Sequence, residues 1–223
     1  MHPFVKELKT LYEGHANPTQ AAPMKKYMRD QFEFLGIKTP QNVTLRKEFI
    51  AKHGLPELTD LDQVLRDLWR LPQREFQYVA VGLLGKFEKK LPAEFIETLE
   101  YLITTKSWWD TVDSIAGNAV GVHFKRHPAV REKYLTRWRG SEDFWPRRTA
   151  ILFQLNYKEE TDFDLLREII KENLGSREFF INKAIGWALR QYARNDPLAV
   201  KKFVMETKDL NPLSRREALK HLK

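Results

Sequence analysis

The sequence predicts an all-α protein in which tandem helical repeats stack into an α-solenoid. Three observations support this fold class. Apolar residues recur at helical spacing along most of the chain, proline and glycine fall mostly between these blocks, and similar helices return at a nearly constant interval. Sustained two-residue alternation, which would indicate strands, is rare. We therefore expect little or no β-structure.

One set of predicted helices is amphipathic and begins near Pro, Thr or Asp. In TDLDQVLRDLWRL (59–71), apolar residues recur every three or four positions, and Thr59 and Asp60 are the expected capping residues. The same pattern predicts helices in PAEFIETLEYLITT (92–105), TDFDLLREIIKENL (161–174) and PLAVKKFVMETKDL (197–210).

A second set of helices alternates with the first and carries the repeat. Its members are REFQYVAVGLLGKFEKK, SWWDTVDSIAGNAVGVHFK, EDFWPRRTAILFQLNYK and REFFINKAIGWALRQYA. Their opening aromatics, Phe76, Trp109, Phe144 and Phe179, follow one another after 33, 35 and 35 residues. A period of this length, with one helix pair per repeat, predicts stacked hairpins similar to degenerate HEAT repeats, with a concave basic groove lined by one helix of each pair.

The chain is expected to form a single HEAT-like repeat domain over residues 1–223. Residues 1–55 are predicted to be an N-terminal helical cap, and residues 56–223 the tandem repeats. Within the cap, helices are expected in MKKYMRDQFEFLG (24–36) and NVTLRKEFIAKHG (42–54). Loops are expected near residues 14–23, 36–42 and 54–60.

Composition narrows the classes of protein that the chain can represent. The 38 Lys and Arg against 30 Asp and Glu give a net charge of +8, which favours a polyanionic partner such as nucleic acid. Charge alone is weak evidence, because many proteins have a solvated basic surface. The absence of cysteine excludes disulfides, thiol catalysis and Cys-liganded metal sites. With no long apolar stretch and a charged N-terminal segment, the chain is expected to be cytoplasmic, without a membrane partner.

Several enzyme chemistries lack their sequence signals. The chain has neither the GxxxxGK[ST] loop of nucleotide hydrolysis nor the GxSxG motif of serine esterases. His123 and His127 have the spacing of a helical metal site, but the HExxH glutamate is missing and Lys125 and Arg126 stand between them. No metal and no other cofactor are expected.

The repeat register aligns ionisable side chains. Four residues after the opening aromatic come Ala80, Asp113, Arg148 and Lys183, so the last three stand 35 residues apart. One helical turn separates Asp113 from Trp109, and another separates Lys183 from Trp187. If the repeats stack in register, these side chains meet on neighbouring parts of one surface and form a candidate site.

The tryptophans and aspartates of these helices have a structural explanation as well as a functional one. Aromatics at helical spacing usually form the core, which is the expectation for Trp69, Trp138, Trp145 and Trp108, whereas for Trp109 and Trp187 both explanations stay open. Asp110 is expected to be a helix-start acid. Asp113 could be a cap or an ordinary exposed acid, but the next acid is Glu132 and the charged residues between the two are basic, so its carboxyl is expected to stay ionised.

Two further patterns bear on the same surface. Gly117 and Gly121 imply either that another helix packs closely on this segment or that a ligand backbone does. Basic residues also occur beside aromatics, as in LRQYAR (189–194), which contains Arg190 and Arg194. Lys and Arg can contact phosphates and aromatic faces can contact bases or sugars, although a solvated helix face is the plainer explanation of any one cluster.

Four stretches of the sequence resemble a known family. The stretches YMRDQFEFLGIKTP (27–40), WWDTVDSIA (108–116), FWPRRTAILFQL (144–155) and FFINKAIGWALRQYAR (179–194) are similar to AlkD-type DNA alkylation repair enzymes, which are bacterial DNA glycosylases built from HEAT-like repeats. The likeness covers essentially the whole chain, and KAIGWALR is its most specific part. No departure is seen at the motif positions.

The resemblance implies an activity and a set of site residues. The implied reaction is excision of cationic N-alkylated purines, such as N3-methyladenine and N7-methylguanine, from double-stranded DNA, without a deep base-flipping pocket. Asp113 corresponds to the catalytic carboxylate, with Trp109 and Trp187 beside the lesion. Arg148 corresponds to a residue that holds the DNA backbone near the site, and Tyr27 to a further contact. A monomeric, cofactor-free bacterial protein that associates with the nucleoid through DNA is the corresponding expectation.

Two alternatives remain open from the sequence. The first is a non-catalytic solenoid that binds DNA or protein, although a pure binding groove would gain nothing from an acid at Asp113. The second is strand cleavage through a Schiff base on Lys183, although the basic residues around it favour phosphate contact, as they do for Arg190 and Arg194.

Overall fold

The computed structural model describes residues 1–222, and the all-α prediction is confirmed: helices account for the regular structure there, and no strand forms among these residues. None of the helices in this range is long and apolar enough to cross a bilayer. A π-helical turn spans Ala116–Val120. The α-helices are α1 (Pro3–Glu13), α2 (Pro18–Tyr27), α3 (Thr39–His53), α4 (Leu61–Arg70), α5 (Arg74–Phe87), α6 (Ile96–Thr104), α7 (Trp109–Ile115), α8 (Gly121–Arg126), α9 (Pro128–Arg139), α10 (Phe144–Leu152), α11 (Phe163–Glu172), α12 (Phe179–Tyr192), α13 (Pro197–Glu206) and α14 (Pro212–Leu219).

Contacts divide the chain into two compact units, Met1–Thr98 and Leu99–Lys223. The predicted division into a cap and a repeat region, and the concave basic groove, stay predictions. Each unit has its own buried apolar core. The candidate residues other than Tyr27 belong to the second unit.

A buried carboxylate organises the first unit. Glu75 is inaccessible to solvent, and its carboxylate accepts the backbone N–H groups of Leu35, Gly36 and Ile37 at 3.0, 2.9 and 3.1 Å. Gly36 has a φ of 90°, and a Cβ there would lie 2.0 Å from the carbonyl oxygen of Asn17. Glycine is therefore required at this bend, and the carboxylate satisfies amides that no helix or sheet would pair.

The helix expected over residues 24–36 is right only for residues 24–27. Helix α2 begins earlier, inside the predicted loop 14–23, because Pro18 starts it and the Asn17 side chain accepts the N–H of Gln20 at 3.2 Å. It ends at Tyr27, and Arg29 and Asp30 have φ values of 55° and 58°. The chain that follows runs to the amides held by the Glu75 carboxylate. This tertiary contact is stronger than local helix preference, which is why the sequence pattern misplaced the helix.

The capping predictions are partly right. Helix α4 is preceded by a 3₁₀ turn, Leu58–Asp60, and Asp60 occupies the N-cap position of α4 as expected, but its side chain makes no capping hydrogen bond. Other aspartates do cap. Asp162 accepts the N–H of Leu165 at 2.9 Å, and Asp196 accepts the N–H of Ala199 at 2.8 Å. Each satisfies a backbone donor that the first helical turn leaves unpaired.

In the second unit, one helix of each repeat packs against its counterpart in the next. Helix α7 contacts α10, α10 contacts α12, and α12 contacts α14. The helices that alternate with these along the chain pack against them. Helices α9 and α11 contact α10, and α13 contacts α12 and α14. The second set of helices identified in the sequence therefore forms one continuous layer in this unit, and this layer carries the candidate site.

The aromatic core predictions are confirmed. Trp69, Trp138 and Trp145 are 0, 1 and 7% exposed. Trp108 also packs, since its ring lies 5.2 Å from that of Phe180 and 6.0 Å from that of Trp145, centroid to centroid. Edge-to-face and tilted contacts of this kind add to the burial energy of the rings.

Candidate active site

The predicted register is observed at three helix starts. Trp109, Phe144 and Phe179 are the first residues of α7, α10 and α12. Asp113 and Arg148 are therefore each one turn inside a helix, and their helices, α7 and α10, are in contact. Phe76 departs from the pattern, because it is the third residue of α5 and fully buried.

Asp113 and Arg148 form a two-pronged ion pair. Arg148 Nε donates to Asp113 Oδ1 at 2.7 Å, and Nη2 donates to Oδ2 at 2.8 Å. Nη1 donates to the carbonyl oxygen of Phe180, so the guanidinium joins α7, α10 and α12. The planar fork of arginine matches a carboxylate in this geometry and fixes the orientation of both groups. The pairing of residues 35 apart is what the register predicts.

The burial of the pair is uneven. The Arg148 side chain is 3% exposed, and that of Asp113 is 14% exposed. Each Asp113 oxygen accepts one bond from Arg148 and keeps a second acceptor position. The carboxylate is consequently immobilised while one edge of it can still meet a small ligand or water. The predicted contact of Arg148 with DNA stays a prediction, since the guanidinium is directed at Asp113 and Phe180.

Burial dominates the electrostatics of Asp113. Desolvation raises the pKa of its carboxyl above the usual aspartate value, while the hydrogen bonds and charge of Arg148 act in the opposite direction and Asp110 adds to the rise. The net direction is upward because the desolvation of the carboxyl outweighs the effect of Arg148. The prediction that the carboxyl is ionised at neutral pH stays a prediction.

The helix behind Asp113 is interrupted by the π turn Ala116–Val120. A Cβ on Gly121 would lie 2.5 Å from the Phe153 carbonyl oxygen, so of the two explanations offered for these glycines, close packing by another part of the chain holds at Gly121. Tyr157 Oη donates to the Gly121 carbonyl at 2.6 Å, and Asn156 Nδ2 donates to the Gly117 carbonyl at 3.0 Å. These bonds pair carbonyls that a π turn shifts out of the regular helical pattern. They also tie the Asp113 helix to the segment that follows α10.

The candidate tryptophans are partly accessible. Trp109 and Trp187 are both half-buried, unlike Trp69, Trp138 and Trp145. Trp109 stands one turn before Asp113, on the same side of α7. Asp110 lies in the first turn of this helix, as predicted. Helical spacing therefore places Trp109 and Asp113 on one side of α7.

A second charged cluster lies between α12 and α14. Lys183 Nζ is 2.7 Å from Glu217 Oε1, and Arg190 Nη1 donates to Glu217 Oε2. The hydrogen bond from Lys183 is the main reason that the pKa of Glu217 falls to about 2. Glu217 was not among the predicted site residues. It follows Lys183 by 34 residues, whereas the 35-residue interval leads to Ala218, so the register alone does not identify it.

Two further candidates are Arg194 and Tyr27. Arg194 is exposed just past the end of α12 and lines a cavity of about 200 Å³ together with Lys158, Gln191 and other side chains. Tyr27 is 73% exposed at the end of α2, in the first unit. Phe180 was also missed, because it contributes a backbone carbonyl, which has no side-chain signal in a sequence.

Fold and site together define a protein whose described residues form an all-helical fold, with an immobilised, largely buried carboxylate one turn inside α7. The family described as DNA alkylation repair enzyme matches residues 8–222. A solved structure, a predicted DNA alkylation repair enzyme from Enterococcus faecalis, is 35% identical and superposes with a TM-score of 0.84 over 93% of this chain and 96% of that chain. No curated protein matches. The chain belongs to the DNA alkylation repair enzyme family.

Proposed function

We propose that the protein is a monofunctional DNA glycosylase that hydrolyses the N-glycosidic bond of cationic N-alkylated purines in double-stranded DNA. The observation that carries this proposal is the Asp113 carboxylate, which Arg148 holds in a fixed orientation at a partly open position. Membership in a family of DNA alkylation repair enzymes supports alkylated DNA as the substrate.

The chemistry of the lesion explains why one carboxylate suffices. Alkylation at N3 or N7 makes the purine cationic, so the base leaves as a neutral molecule and needs no general acid. Positive charge then develops on the deoxyribose. An oriented carboxylate such as Asp113 stabilises that charge and orients the attacking water. An electrostatic contact of this kind lowers the activation barrier by about 3 to 4 kcal/mol.

The other candidate residues have supporting roles in this proposal. Arg148 keeps the carboxylate in place. The indole faces of Trp109 and Trp187 attract the cationic sugar or base, at about 1 kcal/mol each. Lys183 and Arg190 contact the phosphates next to the lesion, with Tyr27 and Arg194 as further DNA contacts.

A lyase step on Lys183 is not part of the proposal. Its Nζ lies 2.7 Å from Glu217 Oε1, so attack on a sugar carbon would require this ion pair to break first. Borohydride trapping tests the point directly. A covalent adduct between the protein and DNA would add strand cleavage to the activity, whereas hydrolysis alone leaves none.

The test is base release from methylated duplex DNA by the wild type, Asp113→Asn and a matched control. Asp164→Asn serves as the control because it removes an exposed carboxylate from α11. We expect Asp113→Asn to lose most release of 7-methylguanine and 3-methyladenine while DNA binding is retained, and Asp164→Asn to keep full activity. Undiminished release by Asp113→Asn would refute the assignment, and binding without release by the wild type would favour a non-catalytic solenoid.

A further inference from the structure

The carboxylate of Glu217 connects two cations of a neighbouring helix. Its Oε1 is 2.7 Å from Lys183 Nζ and its Oε2 accepts from Arg190 Nη1. Lys183 and Arg190 lie on α12, seven residues apart, and Trp187 stands between them. Residues spaced by three and four positions share one side of a helix. The indole of Trp187 is therefore flanked by two cations that are both anchored to a single acid.

Close helix packing places Glu217 at this position. A Cβ on Gly186 would lie 2.5 Å from Glu217 Cβ and 2.9 Å from the Ser214 carbonyl oxygen. Ser214 Oγ donates to the Asn182 carbonyl at 2.8 Å, which fixes α14 against α12 at the same level. Because the backbones approach so closely, the Glu217 side chain extends along the surface of α12 and reaches both cations. Its own side chain is only 11% exposed.

The cluster keeps an excess positive charge. Lys183 and Arg190 together carry two positive charges and Glu217 one negative charge. The pKa of Glu217 falls to about 2, mainly through its hydrogen bond with Lys183, so the acid stays ionised at neutral pH. The Lys183 side chain remains 38% exposed, and its ammonium has two further N–H groups. The cluster therefore has a net charge of +1 in a fixed position that solvent can reach, and such a charge can bind a phosphate oxygen.

We propose that Glu217 is a positioning residue that holds Lys183 and Arg190 as a paired contact for a DNA backbone phosphate on either side of Trp187. This inference rests on the proposed function and extends it, because a strand anchored on both sides of the indole has its deoxyribose held against Trp187. Two long cationic side chains without the acid would still attract DNA, but they would not fix its position.

The decisive variant is Glu217→Gln, which removes the charge with little change of size. Loss of the acid raises the charge of the cluster by one, so the slope of log binding constant against log salt concentration steepens by about 0.9 for unmodified duplex DNA. Single-turnover base release by the bound enzyme falls roughly tenfold or more, because the anchored cations become mobile. A variant that was merely less folded would lose binding and rate together.

A second variant separates charge from position. In Glu217→Gln/Lys183→Gln the charge of the cluster returns to that of the wild type. The salt slope should then return to the wild-type value while base release stays slow. Thermal unfolding of each variant identifies the temperature range in which all the measurements are made on folded protein.

The control is Glu172→Gln, which frees Arg139 from an ion pair between α9 and α11. Its slope and rate should stay at the wild-type values. The proposal is overturned if Glu217→Gln leaves either quantity unchanged, or if Glu172→Gln steepens the slope equally. If the wild type releases no base, the proposed function fails, and the slopes with unmodified DNA still decide the phosphate contact.

Discussion

Removing either member of the Asp113–Arg148 pair should destabilise the protein by a predictable amount. Arg148→Ala leaves a carboxylate that is 14% exposed without its two hydrogen bonds. Breaking a buried ion pair on one side costs about 3 to 5 kcal/mol, and the residual exposure of Asp113 places this case near 3 kcal/mol. Asp113→Asn retains one acceptor for the guanidinium, so its expected cost is about 2 kcal/mol.

A double-mutant cycle isolates the interaction itself. Urea unfolding of the wild type, both single variants and the double variant gives four free energies of unfolding. We expect the double variant to be more stable than the sum of the single effects predicts, with a coupling energy of about 2 kcal/mol. The slope of free energy against urea should be equal in all four proteins, which shows that the comparison is valid.

The refuting result is a coupling energy under about 0.5 kcal/mol, which is the value found for residues that do not interact. That outcome would mean that Arg148 does not fix Asp113 in solution. The claim that the carboxylate is immobilised would then fail. The hydrogen bond of Arg148 with the Phe180 carbonyl is lost in both proteins that carry Arg148→Ala, so its energy cancels in the cycle.

Three further outcomes follow from the same structure. Because burial raises the pKa of Asp113 and the reaction needs its carboxylate form, base release should decline with falling pH earlier than an ordinary aspartate would dictate; a pH–rate profile corrected for acid depurination checks this. Gly121→Ala should cost about 1 to 3 kcal/mol in urea unfolding, because its Cβ would lie 2.5 Å from the Phe153 carbonyl oxygen, whereas at Gly117 the nearest atom is 3.5 Å away and the same change should cost little. Because the pKa of Glu217 is lowered to about 2, its ionised form stabilises the folded protein at pH values above the ordinary glutamate pKa, and this stability is lost as the pH falls toward 2. Glu217→Gln should therefore cost about 2 to 3 kcal/mol at neutral pH and clearly less near about pH 3. Equal costs at both pH values would contradict the ion pair.

The sequence was most informative where its signal is periodic. Apolar spacing identified α4, α5, α10, α11 and α12, and the recurring aromatics identified three helix starts correctly. The interval of 35 residues then paired Asp113 with Arg148 before any contact was known. Such predictions succeed because each repeat packs on the next in the same way, so equal spacing in the chain becomes proximity in space.

Local pattern failed where a distant side chain decides the backbone. The segment 24–36 has helical composition, yet the buried Glu75 carboxylate binds the amides of residues 35–37 and holds that part of the chain outside a helix. Forty residues separate Leu35 from Glu75. A pattern within a short window contains no information about such a partner.

The helical class, the 35-residue register and the residue types that meet along it could be read from the sequence. The environment of those residues could not, because it depends on how the helices pack. Burial raises the pKa of Asp113, and a backbone carbonyl of Phe180 completes the contacts of Arg148. Glu217 joined Lys183 and Arg190. The physical reason is that spacing fixes which side chains are neighbours, whereas desolvation and hydrogen bonding depend on every atom that packs around them.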